Sequence, residues 1–288
     1  MHVFVTGATG WVGAAVVHEL LAAGHRVTGQ ARSREKAAAL SALGAGVVLA
    51  TLDQHEVLRD AAADADAVVH TAFDHDFSRF LDNCAQDQRV IQALGAALAG
   101  SERPLLVTSG LLGMPRGGEE ADLPDPASPR LSEPTARALA LQGVRAATVR
   151  LPPSVHGLGE HGFVPILIDL ARRTGVSAYL DAGTNCWSGV HRHDAARVYR
   201  YALEQGARVP VYHAIADEAV PFKQIAAVIG KHLKLPVASR GADHFGWFAR
   251  MAGADMAASS AATRALLGWA PVGPDLLADL DQAGYYAR

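Results

Sequence analysis

Short apolar, β-branched runs alternate through the first half of the chain with longer stretches whose apolar positions return at helical spacing. The runs Val3 to Thr6, His25 to Ala31, Val47 to Leu49, Ala67 to Thr71, Leu105 to Ser109 and Val144 to Arg150 predict strands. Trp11 to Ala23 predicts a helix closed by Gly24, and Arg34 to Leu43 predicts one that Ser33 caps and Gly44 ends. Phe80, Leu81, Cys84, Ile91, Leu94 and Leu98 give the stretch from Phe77 to Ala99 one apolar face, a longer helix leading into the fifth strand. This βα rhythm predicts an α/β fold with a doubly wound parallel sheet.

From Met114 to Pro134 the pattern gives way to Pro, Gly and acidic residues, which predicts a loop; Pro152 to Pro165 is a second such passage. Beyond it, helices are predicted over about 163–174, 194–205, 221–233, 242–252 and 274–282, with short strands such as Val211 to Ala214. These elements form a smaller C-terminal α/β lobe over the carboxyl edge of the sheet, where open α/β sheets bind ligands. The chain is thus expected to divide into a sheet domain over 1–155 and a mainly helical substrate lobe over 156–288, some of whose segments rejoin the first.

Composition narrows the partners. A chain of 288 residues, half of them hydrophobic, buries a sizeable core. With 26 basic against 29 acidic residues and no basic run interleaved with aromatics, nucleic acid is not an expected partner. No apolar run reaches the roughly 18 residues of a membrane span, and the start Met1-His2-Val3-Phe4 enters a strand pattern without signal-peptide regions. The expectation is a cytoplasmic protein that no membrane holds. Cys84 and Cys186 are too few and too far apart for a disulfide framework or a metal knuckle. The run His191-Arg192-His193-Asp194 is no metal site either, because alternate residues at a strand end diverge and a third ligand is missing; Asp194 is read as a helix cap.

The chemistry begins at Thr6-Gly7-Ala8-Thr9-Gly10-Trp11-Val12-Gly13, which follows the first strand and opens the first helix. Gly7 permits the tight turn, Gly10 lets backbone approach a pyrophosphate, and Gly13 lets helix and strand pack closely. The helix N-terminus then offers unpaired N–H donors to the anion. Dinucleotide choice turns on the end of the second strand, where an acid would bind the ribose 2′-hydroxyl. Here the residues are Gly29-Gln30-Ala31-Arg32-Ser33-Arg34, and Arg32, Ser33 and Arg34 suit a 2′-phosphate instead. NADP(H) is the expected cofactor; the plainer alternative is that these arginines are a solvated helix start.

The spacing G-x-x-G-x-x-G resembles that of the short-chain dehydrogenase/reductase superfamily, in the extended or atypical branch with the epimerases, dehydratases and NmrA-like proteins. The resemblance runs through Asp53, His70-Thr71-Ala72, Val107-Thr108-Ser109-Gly110, Arg150-Leu151-Pro152-Pro153-Ser154-Val155-His156-Gly157, Val190-His191-Arg192-His193-Asp194 and Leu267-Gly268-Trp269-Ala270-Pro271. It implies a Rossmann fold whose cofactor site takes in Gly7, Thr9, Gly10, Trp11, Val12, Gly13, Asp53, Thr71, Ala72, Phe73, Arg130 and Pro152. It also implies a plausible homodimer, and a substrate cleft along Phe73, His75, Tyr179 and Trp187.

Reductases of the superfamily resemble one another in a Ser/Thr, Tyr, Lys set, because hydride addition to a carbonyl leaves an alkoxide that needs a proton donor. Ser109, with Thr108 beside it, stands at the Ser/Thr position. Y-x-x-x-K is missing: residues 110–149 hold neither Tyr nor Lys, and Arg130 alone stands where a cation is expected. Arg130 cannot act as an acid, since it stays protonated. His156, in place of the Tyr of V-Y-G, is the candidate donor, against the commoner role of a hydrogen-bonded structural histidine. The expected function is an NADP(H)-dependent oxidoreductase acting on a small carbonyl or hydroxyl compound. A non-catalytic NADP(H)-sensing regulator is the alternative, and a nucleotide-sugar epimerase or dehydratase ranks last.

Overall fold

The computed structural model describes residues 1–287. Its first half runs β1 (His2–Thr6), α1 (Trp11–Ala22), β2 (Arg26–Ala31), α2 (Arg34–Ala42), β3 (Gly46–Leu49), α3 (His55–Ala63), β4 (Ala67–His70), α4 (Phe80–Leu98), β5 (Leu105–Gly110), α5 (Ser132–Leu141) and β6 (Ala146–Leu151). The second half continues β7 (Ser154–His156), α6 (Phe163–Thr174), β8 (Ser177–Tyr179), β9 (Cys186–His191), α7 (Arg192–Glu204), β10 (Val211–His213) and β11 (Asp217–Pro221). It ends with α8 (Phe222–Leu233), β12 (Val237–Ser239), α9 (Ala242–Phe245), α10 (Ala249–Gly253), α11 (Ala261–Leu267) and α12 (Leu276–Leu280).

Seven parallel strands lie in the order β3-β2-β1-β4-β5-β6-β10, a Rossmann sheet wound in both directions from β1. Strands such as β4 and β6 are buried along their whole length because helices cover both faces. One face buries Val5, Val16, Leu20, Val69 and Tyr199; the other buries Phe4, Leu58, Val68, Ile91 and Leu94. The order of strands reverses between β1 and β4, and the crevice beyond their carboxyl ends is where such sheets bind ligands.

One unforeseen helix and one strand's pairing bear on the sheet. Helix α3 has no side-chain cap and buries only Leu58 and Ala62, a face too narrow to stand out in the pattern. The strand expected at 211–214 is β10, and it joins the main sheet beside β6 rather than the lobe, with Tyr212 opposite Val149. Helix α7 likewise adds Val198, Tyr199 and Ala202 to the same core as α1. The lobe itself contains the small sheets β11-β9-β7 and β12-β8 around Trp187, Phe222, Ile225 and Phe248.

The Pro/Gly stretch after β5 is a loop, but a pinned one. Arg150, wholly buried in β6, donates to both carboxylate oxygens of Glu133 at 2.7 and 2.6 Å and to the carbonyls of Asp122 (2.7 Å) and Glu119 (3.3 Å). Glu120 accepts from the N–H and hydroxyl of Thr263 at 2.8 and 2.6 Å, and Gly117 donates to the Ala257 carbonyl. A buried guanidinium is tolerable only with such complete pairing. Among the described residues no helix is long and apolar enough to cross a membrane.

Candidate functional site

The loop from Gly7 to Gly13 sits at the sheet's switch point. Gly7 adopts a left-handed conformation (φ 64°), and a Cβ there would lie 2.7 Å from the Ala72 backbone; one on Gly13 would lie 2.1 Å from the Gly7 carbonyl. Both positions therefore exclude any side chain. Gly10 is the exposed N-cap of α1, and the N–H groups of Trp11, Val12 and Gly13 have no acceptor among the described residues. No acid lies in the helix's first turn, so this donor set fits an anion such as a pyrophosphate. Gln30, buried at the end of β2, accepts from Gly7 N–H at 3.0 Å and donates to the Ala50 carbonyl, a brace that sequence reasoning missed because an amide does not announce its partner. Thr9 is half-buried beside the loop's turn.

Arg32, Ser33 and Arg34 are exposed just past β2. Ser33 caps α2 by accepting from Lys36 N–H, whereas neither arginine has an ion-pair or hydrogen-bond partner among the described residues. Asp53 is exposed after β3 and accepts from Gln86 at 2.7 Å. At the end of β4, Thr71 donates to the Thr6 carbonyl at 2.8 Å and Ala72 backs onto Gly7.

A buried polar line crosses beneath these ends. Thr6 Oγ1 meets His70 Nδ1 at 2.7 Å, His70 Nε2 meets Asp87 Oδ1 at 2.9 Å, and Ser132 donates to Asp87 Oδ2 at 2.5 Å. Arg130 Nε donates to Ser132 at 2.6 Å, and the guanidinium lies 3.7 Å from the centre of the Phe73 ring. Burial favours a protonated Asp87, but the His70 bond, the Arg130 charge and the Ser132 bond outweigh it and hold the carboxyl below its usual range. The Arg130 Nη groups have no hydrogen-bond partner among the described residues. On β5, Thr108 Oγ1 shares a hydrogen bond with the hydroxyl of buried Tyr199 at 2.8 Å. Ser109 is 8% exposed, and its hydroxyl has no partner among the described residues.

Comparison with known proteins agrees with this geometry. The family described as NAD(P)H-binding matches residues 7–141. The chain is 45% identical over 295 residues to an uncharacterized protein of Schizosaccharomyces pombe, covering 99% of this chain and 100% of that one. It is 29% identical over 237 residues to a 4-hydroxy-2-methyl-3-oxo-4-farnesyl-3,4-dihydroquinoline-1-oxide ketoreductase of Stigmatella aurantiaca, covering 74% of this chain and 67% of that one. The chain is of one family with that Schizosaccharomyces pombe protein, and nearly half of it matches the NAD(P)H-binding family. A dTDP-glucose 4,6-dehydratase of Streptomyces venezuelae, solved with NAD bound, shares the fold at a TM-score of 0.77 and 20% identity, covering 99% of this chain and 97% of that one.

The stretch in which the resemblance led us to look for Tyr and Lys is the loop before α5, from which Arg130 reaches Ser132 and the Phe73 ring. His156 is engaged by carboxylates of the lobe. It is wholly buried in β7, with Nδ1 2.7 Å from Asp279 Oδ2 and Nε2 3.7 Å from Asp217. Burial disfavours its charged form, yet the nearby Asp217 carboxylate and the bond to Asp279 more than offset this and raise its pKa. It is a structural ion pair in the lobe. Tyr285 completes the cluster, donating to Asp279 and accepting from Gly157 N–H. Pro152 is buried at the end of β6. The lobe nonetheless touches the phosphate loop: Trp11 Nε1 donates to the Val155 carbonyl at 2.7 Å, and Arg192 lies over the Trp11 ring at 4.3 Å.

Proposed function

We propose that the chain is an NADP(H)-dependent oxidoreductase of an atypical kind without Y-x-x-x-K, moving a hydride between the nicotinamide and a small carbonyl or hydroxyl compound. The observation that carries the reading is the unclaimed Ser109 hydroxyl at the carboxyl end of β5, on the same sheet edge as a glycine cradle shaped for a dinucleotide. The relative named as a ketoreductase supports this class of reaction. NADP(H) rather than NAD(H) is supported by the two unpaired guanidiniums after β2 and the lack of an acid from Gly29 to Arg34.

In this reading the N–H groups of Trp11, Val12 and Gly13 would hold the pyrophosphate, Arg32 and Arg34 the 2′-phosphate, and the Arg130 Nη groups the ribose hydroxyls. When bound, the cofactor supplies or accepts the hydride. Ser109 donates a hydrogen bond to the substrate oxygen and stabilises the charge that develops there. With His156 sealed in the lobe, water delivers the proton to that oxygen. The buried free thiols Cys84 and Cys186 fit a reducing, cytoplasmic setting, and we infer a homodimer from the superfamily resemblance.

A second reading, a regulator that binds NADP(H) without turning it over, is favoured by the lack of Tyr and Lys between Ser109 and Arg150. A panel of aldehydes and ketones separates the two. Consumption of NADPH that depends on the carbonyl supports the enzyme; tight NADPH binding with no consumption across the panel supports the regulator.

A further inference from the structure

A row of aromatic rings leads away from Phe73 along the segment that follows β4. Phe73 meets His75 edge-on at 5.4 Å, and Phe77 stacks at 6.1 Å on Phe80. Phe77 then crosses to the lobe: its ring stacks on Trp247 at 5.5 Å, with 27° between planes, and contacts Phe163 at 6.1 Å. Phe77 is 37% exposed and Trp247 is 64% exposed, although Phe248 next to it is buried in the lobe core. Two large rings from opposite sides of the crevice thus meet in water rather than in a core. Large rings exposed together in this way suit a binding surface.

The charge around the row selects what binds. Asp74 and Asp76 flank His75, each engaged in the turn that shapes the segment: Asp76 N–H donates to Asp74, and Asp76 accepts from the N–H and hydroxyl of Ser78. The cation in contact with the row, Arg130, is already spread over the Phe73 face. A diphosphate would meet carboxylates here, whereas a flat uncharged group would meet ring faces.

We propose that Phe77 and Trp247 form the mouth of the substrate site, and that the site takes an uncharged carbonyl compound bearing a flat apolar group, aromatic or conjugated, next to the carbonyl. This rests on the oxidoreductase reading. The apolar group would slide against the Phe77 and Trp247 rings while its oxygen faces the β5 end.

The test compares naphthaldehyde with propanal as substrates, and measures naphthylmethanol and UDP-glucose binding to the NADPH complex by calorimetry. For Trp247→Ala the ratio of kcat/KM for naphthaldehyde over propanal should fall about tenfold, the scale of one lost aromatic contact with its buried area, and Trp247→Phe should restore most of it. NADPH affinity should not move. An unchanged ratio, or UDP-glucose binding more tightly than naphthylmethanol, would overturn the proposal. If no carbonyl is consumed, naphthylmethanol binding that Trp247→Ala weakens keeps the site and removes the oxidoreductase reading; no naphthylmethanol binding removes the site.

Discussion

Two glycines three residues apart do different work, and substitution separates them. A side chain on Gly13 collides with the Gly7 carbonyl, while one on Gly10 meets only that carbonyl at 3.2 Å and otherwise faces outward. Gly13→Val should lower the melting temperature and lose the cofactor together. Gly10→Val should lose NADPH, read by fluorescence titration, with little change in melting. At the ribose end, Arg32→Ala should weaken NADPH by about ten- to a hundred-fold while leaving NADH nearly alone, since charge-assisted bonds to a phosphate carry roughly 1.5–3 kcal/mol each. Calorimetry on both cofactors checks it, and a wild type that prefers NADH would remove the assignment. The glycine turn was legible because its spacing is a chemical fact of the sequence. Thr108 was read as catalytic beside Ser109; its hydroxyl also bonds that of Tyr199, ninety-one positions away, and no local pattern reveals that bond.

Elements whose amphipathic pattern is strong fall where the periodicity puts them. The β1 to β6 strands and helices α1, α2 and α4 are found within a residue or three of the expected bounds. Helices α3 and α11 escaped because each is short and buries only two residues. The loop between β5 and α5 was read correctly as irregular, but its composition did not disclose that Arg150 and Glu133 fasten it. Removing one partner of such a buried pair typically costs about 3–5 kcal/mol, so Glu133→Ala should sharply lower the denaturation midpoint. A midpoint within error of the wild type would mean that the loop is held by its backbone bonds alone.

Across the whole molecule, the segments beyond residue 155 both complete the sheet, through α7 and β10, and close over its edge. Which lobe a late strand joins depends on long-range pairing, and so it lies beyond local pattern. The Glu160–His156–Asp279 cluster gives the lobe a pH response. Burial pushes the Glu160 carboxyl up to about 8 from 4.5, only partly offset by the His156 charge. A carboxyl raised on folding makes the folded state bind more protons than the unfolded one, so stability falls as pH rises from about 4.5 to 8. The raised His156 acts in the same direction above 6.5: its contribution is complete below that value and is lost as pH climbs through the folded pKa. Melting temperature should therefore decline over this window, and Glu160→Gln should flatten the decline.

The central claim is hydride transfer from a cofactor held on this sheet edge, with Ser109 polarising the acceptor. NADPH deuterated at its transferring carbon, incubated with the protein and a reducible carbonyl, tests it directly by mass spectrometry of the alcohol. The wild type should place the label on the former carbonyl carbon, and Ser109→Ala should do so about a hundred- to a thousand-fold more slowly at unchanged NADPH affinity. Tight binding of the labelled NADPH with no label in any alcohol, or full-rate transfer by Ser109→Ala, would contradict it.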